Sequence, residues 1–224
     1  MAIDIHRVDY QDSKKKILDN MEREMTTSDF LVAFSGNTKN YCIGLIDICD
    51  STKLSAKMNE KEWSQFYLTF LNSIARVIPR FGGVPLKNGG DSLLFYFPES
   101  SKPSRSYGFI SCVECCLNML ELHDTIAEEM KKQGLPAPNY RISSDFGKVV
   151  LMKTQSSVFN DLIGPPVNMC AKINHRAKNN GYVIGGDFFE HVKTFQDFKF
   201  HQQQGFSIGL KYSYPIYSVE RNGR

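Results

Sequence analysis

The stretch YCIGLIDICDST, residues 41–52, determines how the rest of the sequence is interpreted. Its first nine residues are mostly apolar, and their length and β-branched content predict a buried strand. Ser51 and Thr52 then supply side chains that favour the start of a helix. Asp47 therefore stands near the end of a buried strand, where an unpaired charge is costly.

A second carboxylate, Asp91, lies in the segment GGVPLKNGGDSLLFYF, residues 82–97. Two strand-like runs flank a glycine-rich turn, which predicts a hairpin. A hairpin beside the first strand would bring Asp91 close to Asp47. Two carboxylates in oxygen-rich surroundings suit Mg²⁺ or Mn²⁺. The alternative is that either aspartate is a turn residue, as Asp next to Gly often is.

Hydrophobic periodicity predicts the remaining elements. Apolar residues at helical spacing indicate helices over 11–26, 60–80, 105–133 and 165–178, and the run RISSDFGKVVLM, residues 141–152, resembles two strands hinged at Gly147. A strand at 182–186, a short helix and an alternating run over 211–219 follow. This order predicts an α+β fold of ferredoxin-like ancestry, with two helices on one face of a mostly antiparallel sheet.

Composition excludes several classes of protein. The chain has 224 residues, 42% hydrophobic and 23% charged, and no stretch approaches the roughly 20 apolar residues of a membrane span. A net charge of +3 gives no indication of nucleic acid or an anionic membrane as partner. The first residues lack the apolar core of a signal peptide, and the six cysteines form neither a disulfide pattern nor a zinc-site pattern. We expect a soluble, cytoplasmic protein without a structural metal.

Three motifs in order, LIDICDST (45–52), GGVPLKNGGD (82–91) and DLIGPPVNMCAK (161–172), make the sequence resemble the catalytic domain of class III nucleotidyl cyclases, the adenylyl and guanylyl cyclases. The resemblance covers roughly residues 41–219. It implies a nucleotidyl cyclase domain over residues 41–224, preceded by an N-terminal extension, residues 1–40, with a short amphipathic helix.

The resemblance also implies a metal site and a reaction. Asp47 and Asp91 would hold two divalent ions, Mg²⁺ or Mn²⁺, with the backbone carbonyl of Ile48 as a further ligand. The ribose 3′-OH of a nucleoside triphosphate would attack the α-phosphorus and expel pyrophosphate. Backbone N–H groups near Ser51 and Thr52 would contact the phosphates.

Base selection is implied by two further positions. Lys87 and Asp161 match the residues with which the family reads the base. A carboxylate can accept from the exocyclic amino group of adenine and an ammonium can donate to N1, so this pair indicates ATP rather than GTP. Outside the family context, Lys87 would be a solvated lysine and Asp161 a loop cap.

The helix after residue 164 carries the remaining implied residues. Asn168 matches the asparagine that orients the ribose, and Lys172 occupies a position that is usually arginine. Lysine supplies charge without a bidentate fork, so electrostatic help would persist with less geometric control. Arg176, one turn further on, would compensate or simply face solvent. Lys211 loosely resembles a lysine that binds the triphosphate.

In this family the metal ligands come from one subunit and the base-reading and transition-state residues from the other, so the resemblance implies a homodimer with two sites. Three alternatives remain open. The chain is a cyclase-like domain that binds nucleotide or dimerises without turnover, a cyclase for guanine or a pyrimidine, or a diguanylate cyclase. The last is disfavoured because Ser92 and Leu93 replace the acidic and aromatic residues of the GGDEF signature.

Overall fold

The computed structural model describes residues 12, 14–16, 18–19, 32–102, 106–154, 161–203 and 213–223. For residues 32–37, 87–88 and 153–154 it describes the backbone alone. Of the predicted helix over 11–26, residues 12, 14–16 and 18–19 are helical, and the rest lies outside the described residues.

Eight strands of the described chain form one sheet in the order β2-β3-β1-β4-β6-β8-β7, with β5 paired to β4 beside this path. All pairs are antiparallel except β4 with β6. The strands are β1 (Val32–Ile48), β2 (Val84–Gly89), β3 (Ser92–Phe97), β4 (Tyr140–Thr154), β5 (Asp161–Ile163), β6 (Gly181–Gly185), β7 (Phe198–Gln202) and β8 (Ile216–Arg221).

Apart from the helical residues among 12–19, the described chain has six α-helices. They are α1 (Ser51–Ser55), α2 (Glu60–Ala75), α3 (Tyr107–Glu121), α4 (His123–Lys132), α5 (Pro165–Asn174) and α6 (Gly186–Val192). A capping box fixes the start of α2, since the Asn59 side chain accepts from the Glu62 amide and the Glu62 side chain accepts from the Asn59 amide. Within the described residues, no helix is long and apolar enough to cross a membrane.

The central strand β1 is buried on both faces. Because successive side chains of a strand point to opposite faces, Cys42, Ile46 and Ile48 pack into the main core, whereas Tyr41 and Ile43 pack into a second cluster. The main core is covered by α2, α3, α4 and α6. The second face is covered by α5, so more helices pack on the sheet than the two that the sequence predicts.

Polar contacts attach α5 to the sheet. The Cys170 thiol donates to the Ile43 carbonyl (3.3 Å), and the Ser143 hydroxyl donates to the Cys170 carbonyl (2.9 Å). The buried Asn174 amide donates to the Ser143 hydroxyl (3.2 Å) and to the carbonyls of Leu45 and Arg141 (both 3.4 Å). These contacts fix α5 across β1 and β4.

The structure corrects three predicted elements. The proposed strand pair over 141–152 is wrong: β4 runs through Gly147, which pairs with Tyr41 and lies beneath Pro166 of α5. The single helix over 105–133 is two helices, separated at Leu122, where ψ is −2°. The first strand begins at Val32 rather than at residue 41.

One carboxylate in the core, Asp145 on β4, is 2% exposed. It accepts hydrogen bonds from the Phe146 amide (2.9 Å) and the Tyr214 hydroxyl (3.0 Å to each oxygen), and the Tyr214 oxygen accepts from the Asp187 amide (3.0 Å). Burial raises the pKa of Asp145 to about 7, although the bonds from Phe146 and Tyr214 lower it. Asp145 thus connects β4 to the start of α6 and to the residues before β8.

A substitution at Gly44 of β1 tests the packing between β1 and β3. A Cβ atom at Gly44 would lie 2.2 Å from the Phe95 ring, so Gly44→Ala requires the buried phenylalanine to move. We expect a loss of about 1–3 kcal/mol in the free energy of unfolding, measured by urea denaturation. Gly147→Ala is the control, because the nearest atom to its Cβ is 3.5 Å away. Equal losses in the two variants would contradict this packing.

Candidate functional site

The hairpin β2–β3 places Asp91 beside the end of β1. Gly89 pairs with Ser92, so Gly90 and Asp91 form a two-residue loop, and Gly90 has the positive φ (72°) that such loops often require. In the sheet, Ser92 pairs with Asp47, and the Ile48 amide lies 3.4 Å from the Asp91 carbonyl oxygen. The predicted juxtaposition of the hairpin and the first strand is therefore present.

The two carboxylates influence each other electrostatically. Both side chains are partly buried. Burial raises the pKa of Asp47, and the negative charge of Asp91 raises it further, whereas the charges of His175 and Arg141 lower it. Two like charges held together in a partly desolvated place are stabilised by a bound cation.

Arg141 is a residue of this site that the sequence did not identify. It is directly opposite Asp47 in the pairing of β1 with β4, and its positive charge lowers the pKa of both Asp47 and Cys49. The Nε atom of Arg141 is buried and has no hydrogen-bond partner among the described residues. A buried donor of this kind usually has a partner, and an acceptor such as a phosphate oxygen would satisfy it. The available signal was a charged residue at the start of the strand-like segment 141–152.

The carboxylate pair fits a hard divalent cation by its chemistry. Its donors are oxygens, which Mg²⁺ and Mn²⁺ prefer, and their mutual repulsion favours a cation between them. In the part of the chain that the structure describes, no group of three or more His, Cys, Asp or Glu residues could hold a metal ion. A cation here would need further oxygen ligands from the backbone, for which Ile48 is adjacent, from water or from phosphate.

Asn168 and Lys172 lie one turn apart on α5, and both are exposed. The buried side of the same helix carries Cys170, Ile173 and Asn174. The contacts that attach α5 to β1 and β4 therefore also fix where Asn168 and Lys172 are presented. Arg176, just beyond the helix, lines a groove of about 430 Å³ with Tyr182 of β6 and Val219 of β8.

Lys87 and Asp161 lie on strands that approach each other. Cα atoms of β2 and β5 come within 8 Å, although the two strands do not pair. Leu162 of β5 is buried in the second cluster. Leu86 of β2, which is the extra residue of a bulge, packs against the same cluster. Asp161 accepts a hydrogen bond from the Leu162 amide (2.8 Å). For Lys87 the backbone position alone is described.

Ser51 and Thr52 begin α1 immediately after the carboxylate strand. The residue before them, Asp50, has a left-handed backbone (φ 52°), and α1 has no side-chain hydrogen bond at its cap. Ser51 is partly buried and Thr52 is exposed. The predicted residue Lys211 lies outside the described residues.

The electrostatic coupling of Asp47 to its neighbours can be measured with two substitutions of opposite effect. Asp91→Asn removes a like charge, so we expect the pKa of Asp47 to fall. Arg141→Gln removes a favourable charge, so we expect that pKa to rise. Carboxyl ¹³C NMR titration of metal-free protein measures both shifts.

The control is Asp124→Asn, an exposed carboxylate on α4 that we expect to leave the titration of Asp47 unchanged. If Asp91→Asn left the pKa of Asp47 unchanged as well, the two carboxylates would not be neighbours.

Comparison with solved structures identifies the fold. The adenylyl cyclase CyaB from P. aeruginosa superposes with a TM-score of 0.75 at 17% sequence identity, covering 84% of this chain and 97% of that one. The guanylyl cyclase Cya2 gives 0.70 at 19% identity, covering 82% and 93%. The catalytic core of a rhodopsin-guanylyl cyclase with converted specificity, in complex with ATPαS, gives 0.69 at 17% identity, covering 86% and 100%.

Neither a protein-family model nor a curated protein sequence matches the chain. At these low identities the structural likeness shows the fold alone. The mixed α+β architecture, with its mostly antiparallel eight-stranded sheet and flanking helices, is the fold of adenylyl and guanylyl cyclases.

Proposed function

We propose that this protein is an adenylate cyclase, which converts ATP to 3′,5′-cyclic AMP and pyrophosphate at the interface of a homodimer. The observation that carries the proposal is the pair Asp47 and Asp91, with the unpartnered Nε of Arg141 beside it, in a chain with the cyclase fold. An acidic pair next to a cationic donor suits a ligand that contains both metal ions and phosphates.

Asp47, Asp91 and the Ile48 carbonyl would hold the metal ions, Mg²⁺ or Mn²⁺. When bound, such ions would lower the pKa of the ribose 3′-OH and neutralise charge on the triphosphate. The carboxylates must be ionised to bind these ions. A bound cation would offset both the burial and the charge of Asp91, which raise the pKa of Asp47.

The phosphate chain would be held by donors around this pair. Arg141 would donate through Nε to a phosphate oxygen, and the backbone amides of Ser51 and Thr52 would donate to others. Lys211 would contribute a further positive charge. Together these donors would fix the α-phosphorus for in-line attack by the 3′-oxygen, while the bond to the leaving pyrophosphate breaks.

Base selection would fall to Lys87 and Asp161. The ammonium of Lys87 would donate to N1 of adenine, and the carboxylate of Asp161 would accept from the amino group at C6. Guanine has a protonated N1 and a carbonyl at C6, so each contact would meet a group of the wrong kind. The approach of β2 to β5 supports a joint role for these residues.

Asn168 and Lys172 would act on the ribose and on the developing charge. Asn168 would orient the sugar, and Lys172 would stabilise negative charge in the transition state as a point charge. Both side chains are exposed on α5, which suits residues that act across a subunit boundary.

The assignment of these residues to two different subunits requires a homodimer. One subunit would supply Asp47 and Asp91, and its partner would supply Lys87, Asp161, Asn168 and Lys172, giving two equivalent sites. The six unpaired, buried cysteines agree with a reducing compartment, and we propose the cytoplasm, where ATP is available.

Two further functions are tested by the same assay. A domain that binds nucleotide without turnover is favoured by Lys172 in place of arginine, and guanylate or pyrimidine cyclisation is favoured if the pocket reads the base by its shape. The discriminating experiment incubates the purified protein with each of the four nucleoside triphosphates, in Mg²⁺ or Mn²⁺, and identifies products by mass. We expect cyclic AMP as the main product.

Asp47→Asn provides the matched loss-of-function variant, with Asp50→Asn as its control. Asp50 is exposed and pairs with Lys53, so its substitution tests a carboxylate at the same end of β1 that is not proposed to bind metal. We expect Asp47→Asn to abolish both turnover and the thermal stabilisation by Mn²⁺, and Asp50→Asn to retain both. Cyclic GMP as the main product would reject the roles of Lys87 and Asp161, and no cyclic product would support the non-catalytic function.

The consequence of Lys172 is measured by Lys172→Arg. Arginine would restore a bidentate donor, so we expect kcat to rise several-fold with little change in KM, because the contact forms mainly in the transition state. Lys178→Arg, an exposed lysine beyond α5, is the control and should change neither constant. An unchanged or lower kcat in Lys172→Arg would mean that lysine or another residue already performs this role.

A further inference from the structure

The first strand is longer than the sequence predicts, and its additional residues pair with the far half of β4. Residues 42–47 of β1 pair with β3 on one side and with β4 on the other. Residues 32–34 and 38–40 pair with β4, at Met152–Thr154 and Lys148–Val150. Among the described residues, the segment 32–40 is therefore an edge strand attached to the far half of β4.

The opposite edge of that half of β4 carries β5, the strand of Asp161. Met152 pairs with Phe34 on one side and with Asp161 on the other. Val150 likewise pairs with Thr38 and with Ile163. The first strand and the strand of Asp161 thus lie on two sides of β4 and share Val150 and Met152 as partners, while the β1 register is interrupted between Phe34 and Thr38.

The stability of β5 depends on how many strands pair in this part of the sheet, because β5 itself has three residues. Two paired strands by themselves are marginal in water, whereas three with an apolar face are stable. Without the segment 32–40, the far half of β4 would retain β5 as its described partner, and β5 is too short to hold it. Burial of Leu162 fixes which face of β5 points to the core, whereas pairing with β4 fixes the position of β5 along β4.

We propose that the segment 32–40 is a positioning element for Asp161. It holds the far half of β4, which in turn holds β5. The Asp161 carboxylate is thereby kept at the position along β4 from which it can accept a hydrogen bond from the amino group of the base. The importance for base selection rests on the proposed function, whereas the mechanical dependence of β5 on the segment 32–40 does not. The segment that the sequence assigns to an extension would then belong to the specificity site.

Two single proline substitutions at adjacent positions test the proposal in the 224-residue chain. Thr38 and Lys39 are both exposed and both pair with β4, so their side chains contribute little. On an antiparallel edge strand, one of two consecutive amides points to the partner and the other points away. Proline removes the amide, so one of Thr38→Pro and Lys39→Pro should break the pairing and the other should serve as its control.

The first measurement is amide hydrogen exchange, which does not depend on turnover. We expect faster exchange at residues 161–163 in one proline variant, with unchanged exchange in α2 and α3. Thr38→Ala and Lys39→Ala should behave like the unaltered protein. If the disruptive proline unfolds the domain, glycine at that position replaces it, because glycine weakens a strand and keeps the amide. Unchanged exchange at 161–163 in both proline variants, or an equal increase throughout the domain in both, would overturn the proposal.

The second measurement is the ratio of kcat/KM for ATP to that for GTP. We expect the disruptive variant to lower this ratio by roughly tenfold, the change for weakening one hydrogen bond to a charged group. In an Asp161→Ala background the same substitution should have no further effect, because the segment acts through Asp161. An equal loss with and without Asp161 would overturn the positioning role. A protein with no cyclase activity would contradict the proposed function, and the exchange result would still decide whether β5 depends on the segment 32–40.

Discussion

The structure depends on the position of β1, which is paired on both sides and buried on both faces over residues 42–47. A shift of one residue in its pairing would exchange the two faces and turn Ile46 away from the main core. The same alternation directs Asp47 to the side of Tyr41 and Ile43. Packing of the apolar residues therefore also fixes the position of the carboxylate.

Both faces of the sheet hold their helices by polar as well as apolar contacts. In the main core the Tyr140 hydroxyl donates to the Met119 carbonyl of α3. On the second face α5 is attached to β1 and β4 by a buried amide, a hydroxyl and a thiol. Hydrogen bonds are directional, so these contacts define the position of α5 more narrowly than apolar packing does. That matters for a helix that presents Asn168 and Lys172, because small displacements of catalytic groups are costly.

Charged residues are grouped at particular places on the sheet, which the small net charge of +3 does not reveal. Asp47 and Asp91 meet at the end of β1, and Arg141 faces them from β4 with a buried donor that lacks a described partner. By contrast, the carboxylate of Asp145 is satisfied by Phe146 and Tyr214, which is the expected arrangement for a structural group. The candidate site thus combines an acidic pair with a cationic donor that lacks a described partner.

Hydrophobic periodicity and glycine-rich turns are local signals, and they were enough to predict the fold class, the hairpin of Asp91, its place beside Asp47 and the helix of Asn168 and Lys172. The packed structure was needed to show that β4 continues through Gly147, that β1 begins at Val32, and that Arg141 faces Asp47. These features depend on pairing between residues about a hundred positions apart, and a strand's partner leaves no mark in its own sequence. A glycine that ends one strand locally can instead lie beneath a helix, as Gly147 lies beneath Pro166, and only the packed structure distinguishes the two.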